Sequence, residues 1–136
     1  MTDLLVRPAE LASLPALMEH AKEACARAGV GGEAAHAVRL AVEEAVMNLI
    51  EHAYAGMPPG PIGVSVDAGP ERIVVTVEDR ARPFDPAAAP RPDLDASCEE
   101  RPIGGLGWHL IRELMDEIRY ESEDGLNRLT LVKRRT

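Results

Sequence analysis

Residues 33–55 read EAAHAVRLAVEEAVMNLIEHAYA, and this stretch has the apolar spacing of one long amphipathic helix. Its apolar residues recur at intervals of three and four: Val38, Ala41, Val42, Ala45, Leu49 and Ala53. Such spacing places them on one side of a helix, which can then pack on a sheet. Gly56, Pro58 and Pro59 follow, and glycine and proline commonly end helices. The stretch therefore predicts a helix over 33–55 with one buried face.

Two pairs of short strand-like runs predict two hairpins. The first pair covers 62–66 and 72–77, separated by Asp67-Ala68-Gly69-Pro70, which is turn chemistry. The second pair covers 118–122 and 128–132, and Glu123-Asp124-Gly125 between them contains the Asp-Gly hairpin signal. A short apolar run at Leu4 to Val6 adds a fifth strand.

Two further helices complete the predicted elements. Apolar residues at helical spacing occupy the segment before Gly29, so we expect a helix that ends there. It is expected to begin near Ser13 with that serine as its cap, although a start nearer Glu10 with a kink also fits. A third helix is expected to open in the glycine cluster 104–107 and to run from 108 to about 116.

The chain's length and element order fit one α+β domain. A chain of 136 residues can bury a core without disulfides or metal. Helices combined with hairpins at two places favour helices on one side of an antiparallel sheet. We expect residues 1–136 to form a two-layer sandwich, with about three helices on one face of a mixed, largely antiparallel five-stranded sheet.

The charge balance argues against nucleic acid and favours a protein partner. Fifteen basic against 23 acidic residues give a net charge of −8, whereas phosphate contacts need clustered Lys and Arg. No apolar run approaches the ~18 to 20 residues of a membrane span, and a signal-peptide pattern is missing. This favours a cytoplasmic protein. Cys25 and Cys98 lack CxxC spacing, and the four histidines form no HExxH pair, so neither a disulfide nor zinc is expected.

Glu44 and Asn48 lie four residues apart in the predicted helix, and their side chains project from one face, offset from the apolar stripe. A carboxylate there can orient or deprotonate a hydroxyl group. An amide oxygen can complete the coordination of a Mg²⁺ that otherwise holds waters and phosphate oxygens. Polar pairs at this spacing are also routine on helix surfaces, so the pair alone does not decide between a functional site and two ordinary surface residues.

Asp79 and the glycine cluster supply the other parts of a nucleotide pocket. Asp79 follows the strand 72–77, where a buried carboxylate would accept from an exocyclic amino group and select adenine over guanine; a turn-capping aspartate is the alternative. Glycines at the start of a helix let backbone N–H groups approach phosphates, and a flexible loop junction is the alternative there. The cluster is neither a Walker A sequence nor GxGxxG after a strand. Residues 85–103, proline-rich and without periodicity, are predicted to be a lid because they join two of these motifs.

Together these motifs resemble the N, G1 and G2 boxes of the GHKL (Bergerat-fold, histidine kinase-like) ATPase superfamily, and more narrowly the anti-sigma factor serine kinases of the RsbW and SpoIIAB type. The matching stretches extend over most of the chain: Glu44 to Tyr54, Asp79 to Pro86, Glu100 to Gly107, Leu114 to Ile118 and Asn127 to Leu131. A resemblance of this breadth implies the family's fold over the whole domain.

The resemblance implies a role for each matching residue. Asn48 would ligate Mg²⁺, Glu44 would act as the catalytic base toward a serine hydroxyl, and Asp79 would recognise the adenine amino group of ATP or ADP. Thr130 would support the adenine, and Arg101 would contact the γ-phosphate from the lid, with Arg91 as the alternative. The other residues implied to surround the nucleotide are Ala81, Phe84, Gly104, Gly105, Leu106 and Gly107.

The family's activity implies a Mg-ATP-dependent serine/threonine protein kinase that acts as an anti-sigma factor. Its partners would be a STAS-domain anti-anti-sigma protein, which it phosphorylates, and a sigma factor or other regulator; dimerisation is also common in the family. The G1 box departs from the family at Asp79-Arg80-Ala81, where glycine normally stands in place of Ala81. Glycine allows positive φ and close approach, so Ala81 motivates the alternative of a non-catalytic binding module. A third hypothesis, the catalytic domain of a two-component histidine kinase, is weaker than these two, because the chain lacks the helical hairpin that would present a phosphoacceptor histidine.

Overall fold

A computed structural model describes residues 3–83 and 105–135. Its three α-helices are α1 (Leu14–Arg27), α2 (Gly32–Asn48) and α3 (Gly105–Leu114). A 3₁₀ turn (Leu11–Ser13) precedes α1, and a π-helical turn (Leu49–Ala53) continues α2. The five strands are β1 (Leu5–Pro8), β2 (Pro61–Ala68), β3 (Arg72–Asp79), β4 (Glu117–Glu123) and β5 (Leu126–Arg134). None of the described helices has the length and apolarity to cross a membrane.

The five strands form one sheet in the order β1-β2-β3-β5-β4. Every described pairing in it is antiparallel, so the expected mixed sheet is corrected to an antiparallel one. Short turns between β2 and β3 and between β4 and β5 impose this direction. In the second turn Asp124 and Gly125 have φ of 52° and 79°, the positive values that a two-residue Asp-Gly hairpin requires. The α+β prediction is confirmed.

One face of the sheet carries the core. Alternate residues of the central strands are at most 1% exposed and pack under the helices: Ile62, Val64, Ile73, Val75, Val77 and Leu131. The register pairs Val75 with Leu131, Val77 with Leu129 and Asp79 with Asn127, so these residues share that face. The helices cover this face, and polar residues alternate onto the other face. Asp79 follows Val75 and Val77 on the covered face and is therefore the last side chain of an otherwise apolar row.

The helix predicted over 33–55 is divided between two geometries. α2 ends at Asn48, and a π-helical turn follows in which Tyr54 N–H donates to the Leu49 carbonyl at 3.0 Å. Ala45, Leu49 and Ala53 recur every four residues, more than the roughly 3.6 of an α-helix, and a wider turn keeps them on one side. The first helix begins at Leu14 with Ser13 at its N-cap position, as predicted, but the Ser13 side chain makes no capping hydrogen bond and a 3₁₀ turn precedes the helix.

The Tyr54 hydroxyl ties the end of the π-helical turn to the sheet. It donates to the Pro61 carbonyl at 2.8 Å and accepts from the Arg80 N–H at 2.8 Å, and the residue is only 4% exposed. A Cβ at Gly60 would lie 2.6 Å from Tyr54 Cε1, so the ring packs directly on that backbone. One phenol thus fixes the chain on both sides of the first hairpin.

Tyr54→Phe is therefore expected to lower the free energy of unfolding by about 0.5–1.5 kcal/mol, because the partly buried Arg80 N–H loses its acceptor. Urea denaturation followed by far-UV circular dichroism measures the change. An unchanged midpoint and slope would show that the hydroxyl contributes nothing to the anchoring.

Candidate functional site

A cavity of about 200 Å³ opens between the end of α2, the sheet and α3. The helical side contributes Ala45, Asn48, Leu49, His52 and Ala53, the sheet contributes Val77, Asp79, Tyr120 and Leu129, and Arg82, Pro83 and Trp108 complete the lining. Two of the predicted site residues, Asn48 and Asp79, thus line one cavity although they lie on different layers.

Asp79 is buried at the end of β3, with 7% of its surface exposed. Its Oδ1 accepts from the Ala81 N–H at 2.9 Å and from Asn127 Nδ2 at 2.8 Å. Burial raises the pKa of the Asp79 carboxyl, while the Asn127 and Ala81 hydrogen bonds act in the opposite direction. Both hydrogen bonds from described residues go to Oδ1, so Oδ2 is the oxygen left to accept from a ligand.

Asn127 is a residue that the sequence reasoning missed, and it occupies the place expected of Thr130. Asn127 lies opposite Asp79 in the register of β3 and β5 and is 1% exposed. Thr130 is three residues along β5, so its side chain is on the face of the sheet away from the helices. The structure therefore does not bring Thr130 to the cavity. Predicting that Asp79 and Asn127 are paired requires the register of β3 against β5, and local sequence patterns do not reveal the register of strands that are far apart in the chain.

Ala81 fits its position without strain. Among the described residues Asp124 is the sole non-glycine with positive φ, so Ala81 does not adopt the conformation that favours glycine. Its N–H donates to Asp79 Oδ1, its carbonyl accepts from Asn127 Nδ2 at 2.8 Å, and it is 5% exposed. The backbone beside Asp79 is thus held by hydrogen bonds although alanine replaces the usual glycine of the G1 box.

Glu44, Asn48 and Gly107 converge where α2 meets α3. A Cβ at Gly107 would lie 2.9 Å from Glu44 Oε2 and 3.2 Å from Asn48 Nδ2. Asn48 Nδ2 is also the one side-chain nitrogen or oxygen of the described residues that is buried without a hydrogen-bond partner. An unsatisfied buried amide beside a glycine points to a polar group that belongs there, because such groups are usually paired.

The Glu44 carboxyl has a raised pKa. Burial is the main cause, and the negative charges of Glu43 and Glu51 add to it. A raised pKa makes the carboxylate a stronger base than an ordinary surface glutamate, which suits proton abstraction near neutral pH.

Several cavity-lining residues were not among the predicted site residues. His52 lies one turn beyond Asn48 in the π-helical segment, and Trp108 and Tyr120 face it from α3 and β4. Arg82 lines the cavity as well, and its guanidinium donates to the Ala55 carbonyl. The four-residue spacing of Asn48 and His52 was the only signal available in the sequence.

The remaining predicted residues fall at or beyond the edge of the described chain. Gly105 opens α3 as expected, and Leu106 follows it in the helix. The other expectations lie outside the described residues: Phe84, Arg91, Arg101, Gly104 and the segment 85–103.

Gly107→Ala is expected to lower the phosphoryl transfer that the resemblance implies by about 10- to 100-fold, because the new methyl displaces Glu44 and a shift of ~1 Å at a reacting group can cost that much. The free energy of unfolding is expected to hold or rise, since alanine is favoured over glycine by about 1 kcal/mol within a helix. Initial rates and urea denaturation measure the two effects.

Gly31→Ala is the matched control for this substitution, because a Cβ there meets nothing within 4 Å. Its rate is expected to equal that of the wild type. Equal rates for Gly107→Ala and the wild type would contradict the close approach of α3 to Glu44.

Comparison with known proteins places the chain in a family. The sequence model of the histidine kinase-like ATPase domain matches residues 7–133. The serine-protein kinase RsbW of Listeria monocytogenes is 32% identical over 105 residues, which cover 74% of this chain and 67% of the relative. The serine/threonine-protein kinase BtrW of Bordetella bronchiseptica is 30% identical over 93 residues, covering 68% of this chain and 66% of the relative. The chain thus spans about two thirds of the length of these relatives.

A solved structure shares the fold. The crystal structure of the RsbU and RsbW domains of a Mycobacterium tuberculosis protein superposes with a TM-score of 0.69 at 20% identity, covering 98% of this chain and 32% of that chain. The family match extends over nearly the whole domain. The chain belongs to the histidine kinase-like ATPase family, among the relatives of the RsbW serine-protein kinases.

Proposed function

We propose that this protein is a Mg-ATP-dependent serine/threonine protein kinase and anti-sigma factor of a partner-switching pathway. Its substrate is a STAS-domain anti-anti-sigma protein, and in the unphosphorylated partner's absence it binds a sigma factor or other regulator. Family membership and the serine kinase names of the relatives support this reading.

The observation that carries the proposal is the convergence of Glu44, Asn48 and Gly107 beside the cavity. The glycine lacks the side chain that would fill the space next to the Glu44 carboxylate and the Asn48 amide. Phosphoryl transfer depends on positioning and electrostatics more than on covalent chemistry, so a base and a metal-binding amide held next to each other suit it. Asp79 lines the same cavity from the sheet and supplies the acceptor for an adenine amino group.

The residues present fit Mg²⁺ and phosphate. The buried Nδ2 of Asn48 lacks an acceptor, which a phosphate oxygen would provide, while Oδ1 of the same amide is the atom that suits the cation. No group of three His, Cys, Asp or Glu side chains in residues 3–83 and 105–135 could hold a metal by itself, so phosphate oxygens would complete the coordination. Bound Mg²⁺ would neutralise charge on the phosphates.

In the proposed reaction Glu44 takes the proton from the serine or threonine hydroxyl of the partner. The hydroxyl oxygen forms a bond to the γ-phosphorus as the bond from that phosphorus to the β,γ-bridging oxygen breaks. ADP leaves with the bridging oxygen, and the partner carries the phosphoryl group. The raised pKa of Glu44 favours its role as acceptor of this proton.

The alternative, a non-catalytic binding module, rested on a Cβ at Ala81 that would shift the backbone or crowd the base. A shifted backbone receives no support, because Ala81 is not among the described residues with positive φ and both its N–H and its carbonyl are hydrogen-bonded. Glu44 retained beside Gly107 favours the kinase.

Intact mass spectrometry of the STAS proteins encoded beside this gene tests the proposal. After incubation with the protein and Mg-ATP, one of them is expected to gain the mass of a phosphoryl group, and ADP in place of ATP is expected to give no gain. A STAS partner that binds the protein stably but keeps its mass would favour the binding module over the kinase.

A further inference from the structure

A chain of hydrogen bonds runs from the surface of β4 to the carboxylate of Asp79. The exposed Ser122 donates from Oγ to Asn127 Oδ1 at 2.6 Å. The other end of the same amide, Nδ2, donates at 2.8 Å to both Asp79 Oδ1 and the Ala81 carbonyl. Every polar atom of the Asn127 side chain is therefore committed.

This arrangement fixes the orientation of the Asn127 amide. Turning the amide over would bring its oxygen against the Asp79 carboxylate and the Ala81 carbonyl, which offer only acceptors. The Ser122 hydroxyl can donate or accept and would pair with either end of the amide, so the Asp79 and Ala81 acceptors set the orientation while Ser122 anchors the oxygen end. Because the amide cannot turn without losing the Asp79 and Ala81 hydrogen bonds, Nδ2 is held against Asp79 at a site where Asn127 is 1% exposed.

The fixed amide decides what Asp79 can do for a ligand. Oδ1 already accepts two hydrogen bonds, so the carboxylate cannot rotate without breaking them. The Asn127 hydrogen bond also opposes the rise in the Asp79 pKa that burial causes. The remaining oxygen is thus presented as an acceptor, which suits a purine that carries an exocyclic amino group and repels one that carries a carbonyl at the same place.

We propose that Asn127, anchored by Ser122, is the positioning residue that makes this site select adenine over hypoxanthine. The proposal rests on the proposed function, because it assumes that the cavity binds a purine nucleotide with the base at Asp79. It adds two residues, one of them exposed on an edge strand, to the determinants of base specificity. Without the amide, Oδ1 keeps only the Ala81 N–H, so the Asp79 carboxyl is held less firmly and its pKa is higher, and a protonated carboxyl can donate to the hypoxanthine carbonyl.

Calorimetric titration with ADP and with inosine diphosphate tests this, since the two nucleotides differ only on one edge of the base: ADP carries the amino group beside an unprotonated N1, and inosine diphosphate carries the carbonyl beside a protonated N1. The readout is the ratio of their affinities, which general destabilisation would not change. The wild type is expected to prefer ADP, and in Asn127→Ala the preference is expected to fall about tenfold or more. Ser122→Ala, at an exposed position that does not threaten folding, is expected to show a smaller fall in the same direction.

Thr76→Ala is the matched control, because Thr76 lies on β3 three residues before Asp79 with its side chain on the opposite face. Its ratio is expected to equal that of the wild type. If Asn127→Ala and Ser122→Ala both keep the full preference for ADP, the inference is overturned while the proposed function stands. A wild-type protein that binds neither nucleotide would overturn both this inference and the proposed function.

Discussion

Glu44→Gln is expected to reduce phosphoryl transfer to the STAS partner by about 10²- to 10⁴-fold, the range that a general base contributes. Glutamine keeps the shape of the side chain beside Gly107 but cannot accept the proton of the attacking hydroxyl. Nucleotide affinity is expected to change little, because the base acts on the partner's hydroxyl group and Asp79 selects the adenine. Initial rates of partner phosphorylation and calorimetry with ADP measure the two quantities on the same preparation.

Glu43→Gln is the control for this prediction, since Glu43 is the exposed neighbour of Glu44 on α2. Its charge raises the pKa of Glu44, so its removal is expected to lower that pKa. The rate at neutral pH is expected to persist, while the acid limb of the rate profile moves to lower pH. A Glu44→Gln protein as active as the wild type would remove Glu44 from the mechanism.

Asp79→Asn is expected to weaken ADP binding by about 10- to 100-fold, the effect of losing a hydrogen bond to a charged group. Asparagine can keep Oδ1 as the acceptor for Ala81 and Asn127, and it then presents an NH₂ group where the adenine amino group needs an acceptor. Inosine diphosphate is expected to lose less affinity or to gain it. Calorimetry with both nucleotides gives the comparison.

The stability of Asp79→Asn separates lost binding from lost folding. Because burial raises the Asp79 pKa in the folded state, ionisation disfavours folding as pH rises through the unfolded-state pKa toward the raised value. The neutral amide removes that unfavourable contribution. The thermal midpoint without nucleotide is therefore expected to hold or rise. A midpoint that falls together with ADP affinity would contradict the assignment.

Much of the fold follows from local patterns in the sequence. The apolar stripe of 33–55 predicts a helix packed on a sheet, and the Asp124-Gly125 pair predicts a tight hairpin. The π-helical turn at Leu49–Ala53 could not be predicted in this way, because its apolar spacing differs from that of an α-helix by less than one residue per turn.

The candidate site was predictable only where its residues lie close together in sequence. Glu44 and Asn48 share a helix face, and the predicted geometry of that pair needs no tertiary information. Asn127 depends on the register of β3 against β5, and a shift of one residue would have put Arg128 in its place. Thr130, whose role the resemblance implied, pairs with Thr76, and it lies an odd number of residues from Asn127 on β5, so the two side chains are on opposite faces of the sheet.

The central claim, that this cavity binds an adenine nucleotide, is tested most directly by the fluorescence of Trp108. This residue is the single tryptophan of the chain, and it lines the cavity with 7% of its surface exposed. Titration with Mg-ADP is expected to change its emission along a saturable curve that inosine diphosphate reproduces only at higher concentration. Emission that stays constant up to millimolar ADP, together with an unchanged thermal midpoint, would contradict the account.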